Sequence, residues 1–319
     1  MRLVQRICLL CGALFFAAGA LAQGFPAKPV RLVVPFPAGS ATDQVARVLG
    51  ASLSEALGQT FVIDNRAGAQ GILAAELVAR SAADGYTLMV TTNTPQAANV
   101  SLFKKLPYDP VKDFAPIARL GTIPFILMVR ADHPAKTLQD FIAQAKTQPG
   151  KLSAGYGSAG SHVSLALLTS MARLDVVEVP YKGIPQAIVD VLGGQLAFTF
   201  VDLANALAQQ KGGKLRGLGV TAGKRSGLAP DVPAIAETLP GYELIAWFGL
   251  VAPAGTPREV VKKLHDTTVQ ALSKPDAKSR FDAVGTDIAP LNPEQFAGFI
   301  RSEIAKWAKL AKVAKLEPQ

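Results

Sequence analysis

The sequence predicts an α/β fold with a largely parallel sheet, divided between two domains. Short apolar runs alternate along the chain with segments whose apolar residues recur every three or four positions, which indicates strands alternating with helices. The 319 residues also exceed the size at which one hydrophobic core usually stops growing. We therefore expect two α/β domains.

The first third of the chain reads strand, helix, strand, helix, strand. The run VRLVV at 30–34 is continuously apolar, as a buried parallel strand would be, and residues 41–58 carry apolar side chains at helical spacing. A strand at 61–64, a helix at 72–79 and a strand at 86–91 follow. This order predicts a doubly wound parallel sheet.

The rest of the chain repeats the alternation. Strands are predicted at 123–130, 176–179, 196–201 and 244–252, and helices at 138–146, 163–172, 186–192, 259–272 and 294–316. Residues 151–154 (KLSA) are too polar for a typical buried strand. Because only short loops separate these elements, we predict that the chain crosses between domains at the apolar stretches 124–130 and 245–253.

The N-terminus has the pattern of a cleaved secretory signal peptide. Arg2 and Arg6 precede a nearly continuous apolar run at 7–21, and Ala20 to Ala22 form an A-x-A cleavage site. Cleavage after Ala22 would leave 31 basic residues against 24 acidic ones and no cysteine, because Cys8 and Cys11 are removed. We predict a periplasmic protein without disulfides.

The composition of the remaining chain argues against two other classes. No later apolar stretch approaches the roughly 18 residues of a membrane helix. Lysine and arginine are scattered singly without interleaved aromatic residues, so no nucleic-acid partner is expected. Three histidines remain without metal-ligand spacing, so no metal site is expected either.

The segment SAGYGSAGSH at 153–162 contains the pattern G-x-G-x-x-G at Gly155, Gly157 and Gly160. This pattern occurs in nicotinamide-binding turns, but here it lies in mid-chain after a poor strand, which argues against a dinucleotide. A helix start rich in glycine and serine also suits a carboxylate. The simpler alternative is a tight turn with Ser161 as an ordinary N-cap.

The same segment also allows an exported enzyme. Ser158 approaches the G-x-S-x-G pattern of a serine hydrolase, although Tyr156 replaces the first glycine, and His162 follows four residues later. Nothing marks an acid partner, so a hydrolase or oxidoreductase using Ser158 and His162 is kept only as the alternative hypothesis.

A second loop of similar composition, PFPAGSATD at 35–43, connects the first strand to the first helix. Ligands of open α/β sheets bind beyond the carboxyl ends of strands. The two loops, one in each half of the chain, could therefore face each other across a cleft.

Several blocks in the same order resemble one known family. They are KPVRLVVPFPAGSATDQVAR, FVIDNRAGAQG, ADGYTL, LPYDPVKDFAPIARL, VPYKG, GKLRGLGVT, APAGTP and KWAKL. From about Pro26 to the last helix the chain resembles the Bug/TctC family, the extracytoplasmic solute receptors of tripartite tricarboxylate transporters.

The resemblance implies a type II periplasmic-binding-protein fold, with two α/β domains joined by two crossing strands around a ligand cleft. The implied domains are 23–125 with 249–319, and 126–248. A monomer would capture a di- or tricarboxylate, an amino acid or an aromatic acid without cofactor or catalysis. Its partner would be a membrane permease, although presentation of the ligand to a membrane sensor kinase stays an alternative.

Ligand-binding residues follow from the resemblance by position. In the first loop Phe36 is an apolar wall, and the backbone from Ala38 through Gly39 to Ser40 donates hydrogen bonds. The other implied site residues are Asp43, Thr92, Asn93, Thr94, Tyr156, Gly157, Ser158, Gly160, Ser161, His162, Tyr181, Lys182 and Asp202. We expect Asp43 to stabilise its helix by pairing with Arg47, and Lys182 either to offset ligand charge or to form a structural ion pair.

This chain departs from the family pattern inside the predicted ligand loops. Tyr156 and Ser158 stand where the pattern has serine and glycine, and Ser164 and Leu168 stand where it has histidine and glutamate. Ser40 replaces the second glycine of the first loop. Tyr156 offers an aromatic face with a hydroxyl group, so an aromatic carboxylate is one expectation.

Overall fold

The computed structural model describes residues 24–319, so the predicted signal peptide at 1–22 lies outside the described residues. The strands are β1 (Val30–Val34), β2 (Phe61–Asn65), β3 (Thr87–Thr92), β4 (Phe114–Arg130), β5 (Leu152–Tyr156), β6 (Val176–Pro180), β7 (Phe198–Asp202), β8 (Leu215–Val220), β9 (Ile245–Pro253) and β10 (Asp287–Leu291). The α-helices are α1 (Ala41–Leu57), α2 (Ile72–Ala79), α3 (Asn99–Leu102), α4 (Leu138–Lys146), α5 (Ala159–Ala172), α6 (Ile184–Leu192), α7 (Leu203–Lys211), α8 (Arg258–Leu272), α9 (Ala277–Ala283) and α10 (Pro293–Val313).

Two sheets share the long strand β4. The first sheet has the order β2-β1-β3-β9-β4-β10, with β1 parallel to β2 and β3 and with β9 antiparallel to both of its neighbours. The second sheet has the order β6-β5-β7-β4-β8, with β5 parallel to β6 and β7. β4 changes sheet between Pro124, which pairs with Ile245, and Phe125, which pairs with Asp202.

The predicted alternation of strands and helices is confirmed along most of the chain, and the errors have physical causes. β5 forms despite its polar residues because its backbone pairs in parallel with β6 and β7, and the partly exposed Ser153 hydroxyl donates to the Gln195 carbonyl at 3.1 Å. The elements β8, β10, α3, α7 and α9 were not predicted, because their short, mixed sequences lack a clear period.

The C-terminal helix α10 is fixed to the first sheet by a buried carboxylate. Glu303, only 4% exposed, accepts hydrogen bonds from the indole nitrogens of Trp247 on β9 (2.9 Å) and of Trp307 on α10 (3.0 Å). A buried charge is stable only when it is hydrogen-bonded or paired, and Lys306 adds a contact at 3.2 Å.

Within residues 24–319, none of the helices combines the length and apolar character needed to cross a bilayer.

Candidate functional site

A cavity lies between the two sheets, beyond the carboxyl ends of β1, β3, β5 and β7. Its empty space amounts to about 410 Å³ when the part open to solvent is included. Its wall consists of Phe36, Ser40, Ala41, Thr42, Thr92, Asn93, Thr94, Ile123, Phe125, Gly157, Ser158, Ile184, Asp202, Ala246 and Phe248. The wall is therefore mostly apolar, with a few hydroxyl and amide groups and one carboxyl group.

The first loop is held rigid by Asp43. Its carboxylate accepts hydrogen bonds from the Gly39 N–H, from Asn65 Nδ2 and from Arg47 Nε, each at 3.0 Å. Burial alone would raise the pKa of Asp43, but these donors together outweigh burial and hold the pKa below its ordinary value. Gly39 has a φ of +81°, a left-handed conformation that favours glycine.

The start of α1 leaves backbone donors free at the cavity. Ser40 caps the helix, and its hydroxyl accepts from the Asp43 N–H at 3.2 Å. The N–H groups of Ala41 and Thr42, the first two helical residues, find no acceptor within residues 24–319. Both residues lie in the cavity wall, so these N–H groups and the positive end of the helix are available to an anion.

Asn93 adds a buried donor without a partner. It follows β3, lies in the cavity wall and is 2% exposed. Within the described part of the chain its side-chain nitrogen Nδ2 makes no hydrogen bond. A buried donor left unsatisfied costs about 1–3 kcal/mol, so the position of Asn93 favours a ligand that brings an acceptor.

The second loop uses its own donors internally. The buried Ser161 hydroxyl oxygen accepts from the N–H groups of Gly157 (3.0 Å) and Ser158 (3.1 Å), and it donates to the Ser158 carbonyl. The Ala159 N–H donates to the Thr94 hydroxyl at 3.2 Å, across the cleft. The second helix start is thus preorganised, but it presents fewer free N–H groups than α1.

Close packing accounts for the glycine pattern of this loop. A Cβ atom on Gly155 would lie 2.6 Å from Leu196, and one on Gly157 would lie 2.2 Å from the Gly183 backbone. A Cβ atom on Gly160 would lie 2.5 Å from the ring of Phe125. All three glycines are therefore explained by neighbouring protein atoms, without a dinucleotide.

The structure brings eight of the predicted site residues into the cavity wall. They are Phe36, Ser40, Thr92, Asn93, Thr94, Gly157, Ser158 and Asp202. Asp43, Gly160 and Ser161 are buried behind the wall and position the two loops, whereas Ala38 and Gly39 are exposed. The N–H groups of Gly39 and Ser40 bond to Asp43 and Pro37, so the free donors are Ala41 and Thr42 instead.

Tyr156 and His162 are not part of the cavity wall. Their rings stack with centroids 3.9 Å apart, and His162 Nε2 lies 2.9 Å from Glu178 Oε2. The aromatic face expected of Tyr156 is therefore occupied by His162. Within the described residues the side chains of Ser158 and His162 do not hydrogen-bond to each other, because the Ser158 hydroxyl contacts Ser161.

Tyr181 and Lys182 also lie outside the wall. The Tyr181 hydroxyl donates to Asp190, and burial together with this bond raises the pKa of Tyr181 to about 12. Lys182 is exposed and forms no ion pair among residues 24–319. No basic side chain lines the cavity, and the described chain contains no group of His, Cys, Asp or Glu suited to a metal ion.

Seven wall residues are not among the individually predicted site residues, although Ala41 and Thr42 lie within the predicted first loop, where Thr42 is expected to be exposed for capping or for a ligand. They are Ala41, Thr42, Ile123, Phe125, Ile184, Ala246 and Phe248. Four of them lie on β4 and β9, at or beside the two stretches predicted as crossings. An apolar residue on a crossing strand can face either the core or the cleft, and only the register of β4 and β9 decides which.

Several contacts join the two sides of the cleft. Asn205 Nδ2 on α7 donates to the Gly39 carbonyl at 3.2 Å, and Gln44 Nε2 on α1 donates to Asn205 Oδ1 at 3.1 Å. Pro37 packs so closely on Gly183 that a Cβ atom there would lie 2.5 Å from the proline ring. The first ligand loop and the start of α1 are thus in direct contact with the second-sheet side of the cleft, as in a closed cleft.

The comparison with known families agrees with this architecture. The family described as "Tripartite tricarboxylate transporter family receptor" (TctC) matches residues 45–316. The chain belongs to the TctC family. Protein BugT of Bordetella pertussis (strain Tohama I) is 35% identical to this TctC-family chain over 313 residues, covering 96% of the chain and 95% of BugT. A UPF0065 protein in the tcbD–tcbE intergenic region of Pseudomonas sp. (strain P51) is 35% identical over 292 residues. The match covers 90% of this chain and 87% of that protein.

Solved structures are similar over nearly the whole TctC-family chain. Rpa4515 of R. palustris with adipate has a TM-score of 0.90 at 35% identity, covering 92% of this chain and 100% of that one. The periplasmic binding protein BugD has a TM-score of 0.88 at 32% identity, covering 92% of this chain and 100% of BugD. MatC (Rpa3494) from Rhodopseudomonas palustris with bound malate has a TM-score of 0.83 at 36% identity, covering 90% of this chain and 99% of MatC. The predicted family and the periplasmic-binding-protein fold are confirmed.

Proposed function

We propose that this TctC-family receptor captures a small carboxylate-bearing solute in the periplasm and delivers it to the permease of a tripartite tricarboxylate transporter. Capture would occur by closure of residues 23–125 with 249–319 onto residues 126–248, by a monomer that catalyses no reaction. The relatives with bound adipate and malate support a carboxylate as the ligand class.

The observation that carries the proposal is the unpartnered amide of Asn93 in the cavity wall. Together with the free N–H groups of Ala41 and Thr42, it forms a set of donors that a carboxylate can satisfy. The aromatic walls Phe36 and Phe248 offer apolar contact to the rest of a small ligand. Ligand contacts made only in the closed form would supply the differential affinity that closure requires.

The test is a thermal-shift screen of the refolded, ligand-stripped mature protein against mono-, di- and tricarboxylates, amino acids, aromatic acids and NAD. A carboxylate at about 100 times its Kd should add about 2.7 kcal/mol to the free energy of unfolding and raise the Tm by a few degrees. Asn93→Ala should weaken binding of that carboxylate at least tenfold.

His162→Gln serves as the control, because His162 lies outside the cavity wall and glutamine can still contact Glu178. We expect this variant to bind the carboxylate normally. A shift produced by NAD alone, or turnover of an ester or amide that His162→Gln abolishes, would favour the enzyme hypothesis and contradict the receptor proposal.

A further inference from the structure

Among the described residues 24–319, Asp202 is the one ionisable side chain in the cavity wall. It ends β7 and caps α7, with its Oδ1 atom accepting from the Asn205 N–H at 3.1 Å and from Asn205 Nδ2 at 3.0 Å. Oδ2 is 3.1 Å from the same Nδ2 atom. A carboxylate has about four acceptor sites, so at least one site on Oδ2 is not used by the cap.

No cation compensates this carboxyl group. Asp202 is 2% exposed, and its only hydrogen-bond donors among residues 24–319 belong to Asn205 and its own backbone. Burial raises the pKa of Asp202, which means that its charged form lacks stabilisation in the ligand-free protein. A ligand group that donates a hydrogen bond would supply it.

The cavity therefore has donors and an acceptor on opposite sides. Ala41, Thr42 and Asn93 belong to the elements of the first sheet and suit the ligand carboxylate, whereas Asp202 belongs to the second sheet. A second ionised carboxylate placed at Asp202 would meet a like charge, and no lysine, arginine or histidine in the wall would offset it.

On the basis of the proposed function, we infer that Asp202 selects carboxylates that also carry a hydroxyl or ammonium donor, and disfavours fully ionised dicarboxylates. One observation argues against this inference: two similar proteins hold adipate or malate, and both of these ligands are dicarboxylates. If Asp202 were protonated, it would donate to a second carboxylate, and the order of affinities would be reversed.

The test uses isothermal titration calorimetry at pH 8 with two series of acids matched in length. One comprises butanoate, 4-hydroxybutanoate, 4-aminobutanoate and succinate, and the other hexanoate, 6-hydroxyhexanoate, 6-aminohexanoate and adipate. The ligand-stripped mature protein should bind the best hydroxy or amino acid at least tenfold more tightly than the dicarboxylate of the same length.

Asp202→Asn is the informative variant, because asparagine keeps the N-cap while removing the charge. It should weaken binding of the amino acid at least tenfold and bring the dicarboxylate to equal or tighter affinity. Asp266→Asn, which removes a surface carboxylate outside the cavity wall, should keep the wild-type order of affinities.

Tighter binding of succinate or adipate by the wild type, or an order of affinities unchanged by Asp202→Asn, would overturn the inference and leave the receptor proposal intact. Binding of none of the eight acids would also overturn it, because every ligand class that it names is represented. The receptor proposal is judged separately by its own wider screen.

Discussion

At the scale of single residues, buried polar groups decide what the site can hold. Asn93 has a donor without a partner, Asp202 has an acceptor without a cation, and Asp43 is fully satisfied behind the wall. The first two groups are available to a ligand. The third belongs to the framework, and its contribution should appear in stability.

Replacing Asp43 tests this framework role. Its folded-state pKa lies below its unfolded value, so its contribution to stability is present above about pH 4 and is lost as the pH falls through the folded-state pKa. Asp43→Asn should lower the free energy of unfolding at pH 7 by about 1–3 kcal/mol. In urea denaturation the difference from wild type should shrink at acidic pH.

The matched control for this prediction is Asp266→Asn on α8. Asp266 pairs with Lys262 at the surface, and such pairs are worth about 0–1 kcal/mol. The assigned role of Asp43 would be contradicted if the two variants lost the same free energy of unfolding at pH 7. It would also be contradicted if the loss of unfolding free energy in Asp43→Asn grew as the pH fell.

At the scale of elements, two strand–loop–helix units meet at the cavity, but they differ in how their helix starts are satisfied. α1 leaves the N–H groups of Ala41 and Thr42 free, whereas the start of α5 is bonded by Ser161 and Thr94. The sequence predicted both glycine-serine loops and the helices that follow them, but it predicted the strand only for the first unit, because the residues that form β5 looked too polar.

Which donors remain free could not be predicted from the sequence. The departure at Ser158 matters here, because Ser158 and Ser161 form a reciprocal capping box that consumes backbone donors. Similarly, the stacking of Tyr156 on His162 depends on tertiary packing. Composition identifies a loop as a candidate ligand loop, but only the hydrogen-bond partners show which atoms face the ligand.

Removing the Ser161 hydroxyl tests the preorganisation of the second loop. Ser161→Ala would leave the N–H groups of Gly157 and Ser158 without their acceptor and should cost about 1–3 kcal/mol of stability. Because the loop then becomes mobile, ligand affinity should also fall severalfold, as measured by calorimetry. Ser302→Ala, on the exposed side of α10, should change neither quantity measurably.

At the scale of the whole molecule, the two sheets are connected by the shared strand β4 and by the contacts across the cleft. The sequence predicted the two crossing stretches, since long apolar runs at 124–130 and 245–253 interrupt the alternation. It could not predict that β4 begins at Phe114, because the mixed residues before 123 become a strand only by pairing with β9 and β10.

Asn205 offers a test of closure. Its amide bonds to Gly39 and Gln44 on the other side of the cleft as well as to Asp202 on its own side, and each such bond contributes about 1 kcal/mol. Asn205→Ala should increase the radius of gyration of the ligand-free protein in small-angle X-ray scattering and weaken ligand binding about 3- to 30-fold. Gln209→Ala, on the same helix but outside these contacts, should match the wild type in both measurements.

The shared carboxylate of Glu303 has a practical consequence for observing this receptor. The chain contains two tryptophans, and both indoles donate to Glu303, while Trp247 is adjacent in sequence to the wall residue Phe248. Both indoles thus occupy one cluster around Glu303, and the strand β9 that carries Trp247 also supplies the wall residues Ala246 and Phe248. Their ultraviolet emission offers an optical signal of ligand occupancy that needs no attached dye.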